Sequence, residues 1–400
     1  MFMNIKLRHS QSKFLFLLLI TAIYTILIIK FDFLHGPKVK DEAHFWETSL
    51  RFSTSLIPSI DALRDYRDLN TPLPFIMFGA VEHIFDLGVF GGRLLNIILS
   101  IAIVFIIGWP SREKGGTAIL CLIGLFICPY YLLCSAALTT DIIAGFWVLL
   151  GFVAYVRNRH LLSSISFILA IASRQYMLAF PIAVALYEFV INALPVIKND
   201  RQIKFYEQWR WIAPLIAASS ILFWFYLFQG LAPSTGLEEL APTIQKTTWF
   251  LKPNRAIYFL AFTSIFVVIP EFILFRPKID FVNLQWRKYA FIAIGWLLYC
   301  IVFPPPTSSD GMFSVIINLL HYEVIKIALF YFLSLLALVR FSQPNLMWLC
   351  LLCNCIIMMK AHYWSKYVLP LAIVFWYLKS LKLEQQFSFT NFVPNFYIRE

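Results

Sequence analysis

The chain has 400 residues, of which 60% are hydrophobic and 14% charged, and its mean hydropathy is +0.74. A soluble domain carries about a quarter charged residues, so this composition excludes an ordinary water-soluble fold and points to lipid as the solvent. The net charge of +11 lies in short basic clusters between apolar runs, a pattern that orients a membrane protein and argues against nucleic-acid binding.

The first apolar run, 14–29, follows Lys6, Arg8 and Lys13 and is not followed by a small-residue cleavage site. It reads as an uncleaved first span. Next comes the longest polar segment, 32–71, which opens with Asp41-Glu42-Ala43-His44-Phe45-Trp46. A helix starting there puts Asp41, His44 and Phe45 on one face. Lying on the membrane, it would hold its acids at the water boundary and Phe45 and Trp46 in lipid. Two adjacent carboxylates beside an apolar wall can split their pKa values and suit general-base chemistry. They equally suit the first turn of a helix, where the macrodipole favours acids. The segment closes on Asn70-Thr71-Pro72-Leu73-Pro74, where Asn70 and Thr71 read as helix caps or as ligands for a polar group.

Residues 72–92 are apolar but carry Glu82, His83 and Asp86, each costing about 2–3 kcal/mol at a bilayer centre. This segment is expected to be re-entrant or interfacial on the outer side. Further apolar runs lie at 93–109, 117–133, 141–156, 161–172, 176–193, 211–229, 256–275, 289–303, 324–340, 346–358 and 367–380. The expected fold is therefore an all-α polytopic membrane protein of about 12 transmembrane helices, a single domain over 1–400 with a long first outer loop bearing interfacial helices. With the N-terminus inside, Arg112/Lys114, Arg157/Arg159, the 198–210 and 276–288 linkers and the Lys379/Lys382 tail all face the cytoplasm, as the positive-inside rule requires. The same parity places 14 of the 22 acids outside, a bias that orientation alone does not explain.

Several polar clusters share that outer side. Asp141 follows Thr139-Thr140 and reads as a helix cap. Arg174, between Ser173 and Gln175 in a tight hairpin, is an outer cation suited to a phosphate or to snorkelling. The late run Lys360-Ala361-His362-Tyr363-Trp364-Ser365-Lys366-Tyr367 combines cations with aromatic rings, suiting a lipid phosphate, a sugar ring or an interfacial belt. All seven cysteines lie in or beside apolar runs and read as small hydrophobes. No cofactor is indicated. A divalent cation stays open where Asp41, Glu42 and Asp141 converge.

The order of these pieces resembles the GT-C superfamily of polyprenyl-phosphate-sugar-dependent glycosyltransferases, most of all the dolichyl-phosphate-glucose α-1,2-glucosyltransferases. Lys40-Asp41-Glu42-Ala43-His44 is similar to that family's Met-Asp-Glu-x-x-His start, with the histidine one place early. Asn70-Thr71-Pro72-Leu73-Pro74, Gly92-Arg93-Leu94-Leu95-Asn96-Ile97-Ile98, Ser173-Arg174-Gln175-Tyr176-Met177 and Ala361-His362-Tyr363 resemble later family elements, in order. The match departs where Tyr176-Met177 replace Thr-Asn and where Ala361 replaces a basic residue.

The resemblance implies an inverting hexose transfer from a polyprenyl-phosphate sugar donor to a glycan or lipid-linked acceptor. The setting is the outer or lumenal face of a bacterial inner membrane or ER membrane. It implies Asp41 and Glu42 as catalytic, with Asp41 the base, and His44, Asn70, Asp141, Arg174, Gln175, His362, Tyr363 and Lys366 as substrate-binding. Two other classes compete. A transporter or flippase of lipid-linked sugars would show repeats and midplane charges, which the chain lacks. An O-antigen ligase or polymerase-type protein would carry its large polar loop late rather than first.

Overall fold

The helix α2, Lys40–Phe52, organises the polar end of the chain in the computed structural model, which describes residues 9–30, 32, 34–38, 40–111, 114–193, 205–241, 246, 250–276, 286–305, 317, 319–362 and 364–383. Asp41 and Glu42 occupy its first turn and Arg51 its last, the charge order that a helix dipole favours. Its apolar stripe of Phe45, Trp46 and Phe52 does not face lipid. It packs with Tyr66, Phe75, Phe78, Leu138, Ile143 and Phe228 in a buried aromatic cluster. The membrane-surface role expected of Phe45 and Trp46 is thereby corrected. Protein partners from distant parts of the chain cover the stripe instead.

Before α2 stands α1, His9–Thr25, and after it a short α3, Ile60–Arg64, whose N-cap Ser59 accepts a hydrogen bond from the Ala62 amide. Next is α4, Leu73–Phe85, started by prolines at 72 and 74, which fit a first turn because its amides lack intrahelical partners. A Cβ on Gly79 of α4 would lie 2.7 Å from the Phe52 carbonyl carbon and 2.9 Å from the Ser49 oxygen. Only glycine lets α4 approach α2 so closely. At 13 residues α4 is too short to cross a bilayer. It ends on Asp86 in the left-handed region, and Glu82 accepts from the Gly88 amide just beyond.

Helix α5, Val89–Gly108, is followed by α6, Thr117–Ile127, and α7, Pro129–Ala136. The run at 117–133, expected as one straight span, is bent by 77° between α6 and α7. Pro129 has no amide to continue the ladder, and its ring forces Cys128 into an extended backbone with ψ 105°. Helices α8, Thr140–Val156, and α9, His160–Ser173, form a hairpin. Ser163 Oγ donates to the Gly151 carbonyl across it, and a Cβ on Gly151 would meet the Phe167 ring at 2.6 Å.

The chain divides into two compact units. One comprises 1–178, 216–241 and 373–384 and contains α1 to α9. The other comprises the described residues of 179–215 and 242–372. In it the helices Asn254–Thr263, Glu323–Arg340 and Leu346–Met358 form the packed centre. Tyr258 and Phe330 stack there at 5.7 Å, and Arg340 holds Glu271 with two hydrogen bonds of 2.6 and 2.7 Å.

Among the described residues five helices are long and apolar enough to cross a membrane, Ser10–Ile29, Val89–Gly108, Gln175–Asn192, Gln208–Phe228 and Asn254–Phe275, or six if the bent pair counts as one span. The molecule is a multi-pass integral membrane protein of helices. Among the described residues, length and composition do not confirm the expected twelve spans; α4, α8, α9 and Leu346–Met358 are shorter apolar helices.

Candidate functional site

Glu42 is 1% exposed and grips Arg93 of α5 with both oxygens, Oε1 2.8 Å from Nε and Oε2 2.7 Å from Nη2. The remaining Arg93 donors reach the carbonyls of Leu34, Gly36 and Pro37, which ties down the turn before α2. Glu42 Oε1 also accepts from the Leu138 amide at 2.7 Å. A carboxylate this engaged has its oxygens occupied by donors. The sequence pairs Glu42 with Asp41 as catalytic; the structure shows Glu42 buried and bound to Arg93 and the Leu138 amide. Asp41, one residue earlier, is half-buried.

From Leu138 the polar chain runs on. Asn96 of α5 donates to the carbonyls of Ala137 and Thr139 at 2.7 and 2.9 Å and so sets the approach to α8. Thr140 Oγ1 accepts from Arg174 Nε at 2.6 Å, and Asp141, fully buried, lies 3.0 Å from Arg174 Nη1. Tyr176 adds its hydroxyl, 3.4 Å from Asp141 Oδ1 and 3.5 Å from Arg174 Nη1. Asp141 therefore pairs with an arginine, whereas a cap was expected, and Arg174 is held inside protein. Its neighbour Gln175 donates its side-chain amide to the Leu231 carbonyl at 2.6 Å, which makes it a brace for the 230–241 segment.

The same circuit closes back on α2. Thr71, fully buried, donates to the Ile171 carbonyl at 2.7 Å, three residues before Arg174. Thr71 is thus a cross-link rather than a cap. Asn70 donates its backbone and side-chain amides to Asp68 Oδ1 at 2.7 and 2.8 Å, so it too caps no helix. Asp68 is 2% exposed, and its other oxygen lies 2.9 Å from Nε2 of His44. Thr48 of α2 completes this side by donating to the carbonyls of His44 and Arg67. The polar ring runs from Glu42 through 138–141, Arg174, Ile171, Thr71, Asn70 and Asp68 to His44.

Outside the ring, a short helix, Ser234–Glu239, lies on the 65–71 segment as a strap. Asp65 accepts from the Thr235 amide at 3.0 Å, the Thr235 hydroxyl at 2.6 Å and the Ser234 hydroxyl at 3.2 Å. Burial raises the Asp65 pKa, but these hydrogen bonds and the Arg51 charge outweigh it and hold the carboxyl below its ordinary value. Arg67 pairs with Glu239 of the strap. Burial, then the charges of Asp68 and Asp65, push the Tyr66 phenol well above its ordinary range, so it stays protonated and donates to the Asn70 carbonyl at 2.6 Å.

His362 and Lys366 belong to the second unit. His362 lines a crevice with Arg255, Tyr258, Phe262, Met358 and Trp364. Arg255 and Lys366 are each 6% exposed; Arg255 donates to the Ala361 carbonyl, and Lys366 Nζ sits 3.6 Å from the Trp364 ring centroid. Tyr363 lies outside the described residues. Among the described residues no group of three His, Cys, Asp or Glu side chains is arranged to hold a metal ion. The convergence of Asp41, Glu42 and Asp141 that would make a cation site is not formed, since Glu42 and Asp141 face different arginines.

Sequence reasoning left Asp68 among the outer acids without a role and gave Arg93 only a place in a motif. Arg93 was nonetheless detectable. A lone cation opening a long apolar run requires a buried acidic partner, and Glu42 is such an acid.

These features define a multi-pass helical membrane protein in which buried ion pairs order a half-open carboxylate at the start of α2. Among solved structures the chain is similar to the crystal structure of ArnT from Cupriavidus metallidurans in the apo state, with 14% identity and a TM-score of 0.38. It is similar also to the crystal structure of the same protein bound to undecaprenyl phosphate, with 16% identity and a TM-score of 0.40. Each likeness covers 92% of this chain and 77% of the other. No family profile and no curated protein sequence matches the chain.

Proposed function

We propose that the chain is a GT-C-type membrane glycosyltransferase that moves a glucose-like hexose from a polyprenyl-phosphate donor to a glycan or lipid-linked acceptor. The face is the outer or lumenal one, of a bacterial inner membrane or of the ER. One observation carries the reading: of the four acids Asp41, Glu42, Asp68 and Asp141, Asp41 is the one that is not buried, and Glu42 beside it locks the start of the helix that bears it. The ordered likeness of the sequence motifs to that superfamily supports the same conclusion.

In this reaction the acceptor hydroxyl oxygen bonds to the anomeric carbon on the side opposite the phosphate. The bond from that carbon to the phosphate oxygen breaks, and its electron pair leaves with the polyprenyl phosphate. Asp41 takes the hydroxyl proton as general base. The leaving phosphate needs cations, and Arg174, beside Asp141, is the residue proposed for it.

The test is sugar transfer in membranes containing the Asp41→Asn protein. That variant keeps the side-chain shape and loses the base, so transfer is expected to fall by about 10²-fold or more at unchanged protein abundance. Transfer near the wild-type rate would overturn the assignment.

A further inference from the structure

The aromatic stripe of α2 is covered by protein, so Phe45 and Trp46 do not meet lipid. The exposed apolar side chains at this end of the first unit lie instead on two neighbouring edges. One is the turn after α2 with the start of α3, where Leu56, Ile57 and Ile60 are exposed, Ile57 to 84%. The other is the end of α4 and the turn beyond it, where Ile84, Phe85 and Leu87 are exposed, Phe85 to 61%. His83 brings the two edges together, because its Nδ1 donates to the Ser53 carbonyl at 2.7 Å. Gly79 does the same one helical turn earlier by letting α4 approach the backbone of Phe52. Ser53 Oγ donates to the Leu50 carbonyl at 2.9 Å and Ser55 Oγ to the Ile57 carbonyl at 3.1 Å, and these bonds shape the turn that presents Leu56 and Ile57.

Single exposed apolar residues are ordinary on a protein surface, but six on adjoining edges call for a covering. Their place in the fold says which. Leu87 stands two residues before α5, a helix long and apolar enough to cross a membrane, whose Ile98 and Phe105 are themselves exposed. The patch is therefore continuous with the lipid-facing surface of a span, at the end where that span meets the headgroups. With 13 residues α4 does not cross. Its end carries Glu82, His83 and Asp86, which belong among headgroups and water rather than in hydrocarbon.

We propose that Leu56, Ile57 and Ile60, with Ile84, Phe85 and Leu87, form a foot that enters the headgroup–acyl boundary of the leaflet at the head of α5, with the surrounding lipid as its partner. The exposed charges near it are of both signs, Arg51 and Arg64 with Asp61 and Asp86. Burial of apolar surface drives the contact, so it needs no anionic lipid and is insensitive to salt. The foot sets the level of α2 against the bilayer, because the turn continues directly from α2 and α4 packs on that helix.

All seven native cysteines are buried, so a cysteine added at the surface can be labelled selectively. The experiment uses the full chain with Ile57→Cys, with Phe85→Cys, or with Glu47→Cys as a water-facing control at a side chain that is 65% exposed. Each variant is labelled in detergent with a nitrobenzoxadiazole maleimide and returned to phosphatidylcholine vesicles. Lipids carrying a spin label about 5–10 Å below the headgroups should quench the labels at 57 and 85 at least about twofold more than the label at 47. Aqueous iodide should do the reverse, and added phosphatidylglycerol or salt should change neither result. Iodide quenching at 57 and 85 as strong as at 47 would leave the foot in water and overturn the inference. Quenching by neither reagent would overturn it in favour of a second copy of the chain, and a dependence on phosphatidylglycerol would overturn the apolar driving force. Ile57 is so exposed that its replacement should leave the melting temperature unchanged, so the test stands even where Phe85→Cys folds poorly. No readout involves sugar transfer, so the foot and the glycosyltransferase reading fail separately.

Discussion

Glu42 and Arg93, 51 residues apart in sequence, meet as a two-pronged ion pair in which both side chains are nearly inaccessible, 1% and 4% exposed. The pair joins the start of α2 to α5, and through the Leu138 amide to the approach of α8. It turns one half of an acidic dipeptide into a fixed support, beside the half-buried Asp41.

Separate outcomes are therefore expected for the two neighbours. Glu42→Gln strands a buried guanidinium, and breaking such a pair costs about 3–5 kcal/mol. The protein should unfold at a clearly lower temperature in detergent and accumulate poorly in membranes. Asp41→Asn should leave the melting temperature close to wild type while removing activity. Arg93→Lys should behave like Glu42→Gln, because an ammonium cannot make the forked contact. Equal thermal stability of Glu42→Gln and wild type would contradict the anchoring role.

Asp141 and Arg174 form the second buried pair, with Thr140 and Tyr176 beside it. Asp141→Asn alone leaves Arg174 with an uncompensated charge inside protein. The double variant Asp141→Asn/Arg174→Gln removes both charges. A double-mutant cycle on thermal stability should show a coupling of about 0.5–3 kcal/mol, with the double variant more stable than the sum of singles requires. Strict additivity would mean that the two groups do not support each other.

Gly236 lets the strap lie directly on the backbone of residue 68. A Cβ there would stand 2.2 Å from the Asp68 carbonyl oxygen and 2.7 Å from its carbon. No flexible side chain can yield, so Gly236→Ala must push strap and loop apart. Overpacking of this kind costs about 1–3 kcal/mol. The expected result is lower thermal stability with faster amide exchange at Thr235. Gly115 offers a contrast, since nothing lies within 4 Å of a Cβ there but its φ is +55°, so any cost of substitution comes from the backbone.

The strap should also loosen in acid. The Asp65 carboxyl is held below its ordinary pKa, so its contribution is present above the unfolded value, near 3.9, and is lost as pH falls through the lower folded value. Protonated Asp65 accepts poorly from Thr235 and Ser234. Amide-exchange protection at Thr235, corrected for intrinsic rates, should drop below about pH 4 in wild type. In Asp65→Asn it should be low and flat over the same range. A wild-type profile without that drop would remove Asp65 as the latch.

The resemblance drawn from motif order covers α2, the 70–74 entry to α4, the start of α5 and the end of α9. The structure places α2, 70–71 and the start of α8 with Arg174 on one hydrogen-bonded ring. What a motif could not assign was the role of each member. Thr71 looked like a cap and is a cross-link to Ile171; Gln175 looked like a ligand and braces the 230–241 segment. Both face partners more than 50 residues away, and local spacing carries no information about such contacts.

The amino-acid sequence by itself determined the solvent of this protein, its helical class, the polar segment after the first span and the start of α2. These follow from local quantities: hydropathy over a span length, charges in a helix's first turn, and a proline that cannot donate. Tertiary structure alone decided which acid is an anchor and which is open, that the 117–133 run bends, and that Asp68 stands behind His44. The physical reason is that a carboxylate's role depends on its partner and its burial. In this chain the partners of Glu42, Asp141 and Asp65 come from residues 93, 174 and 235, distances along the chain that no local pattern encodes.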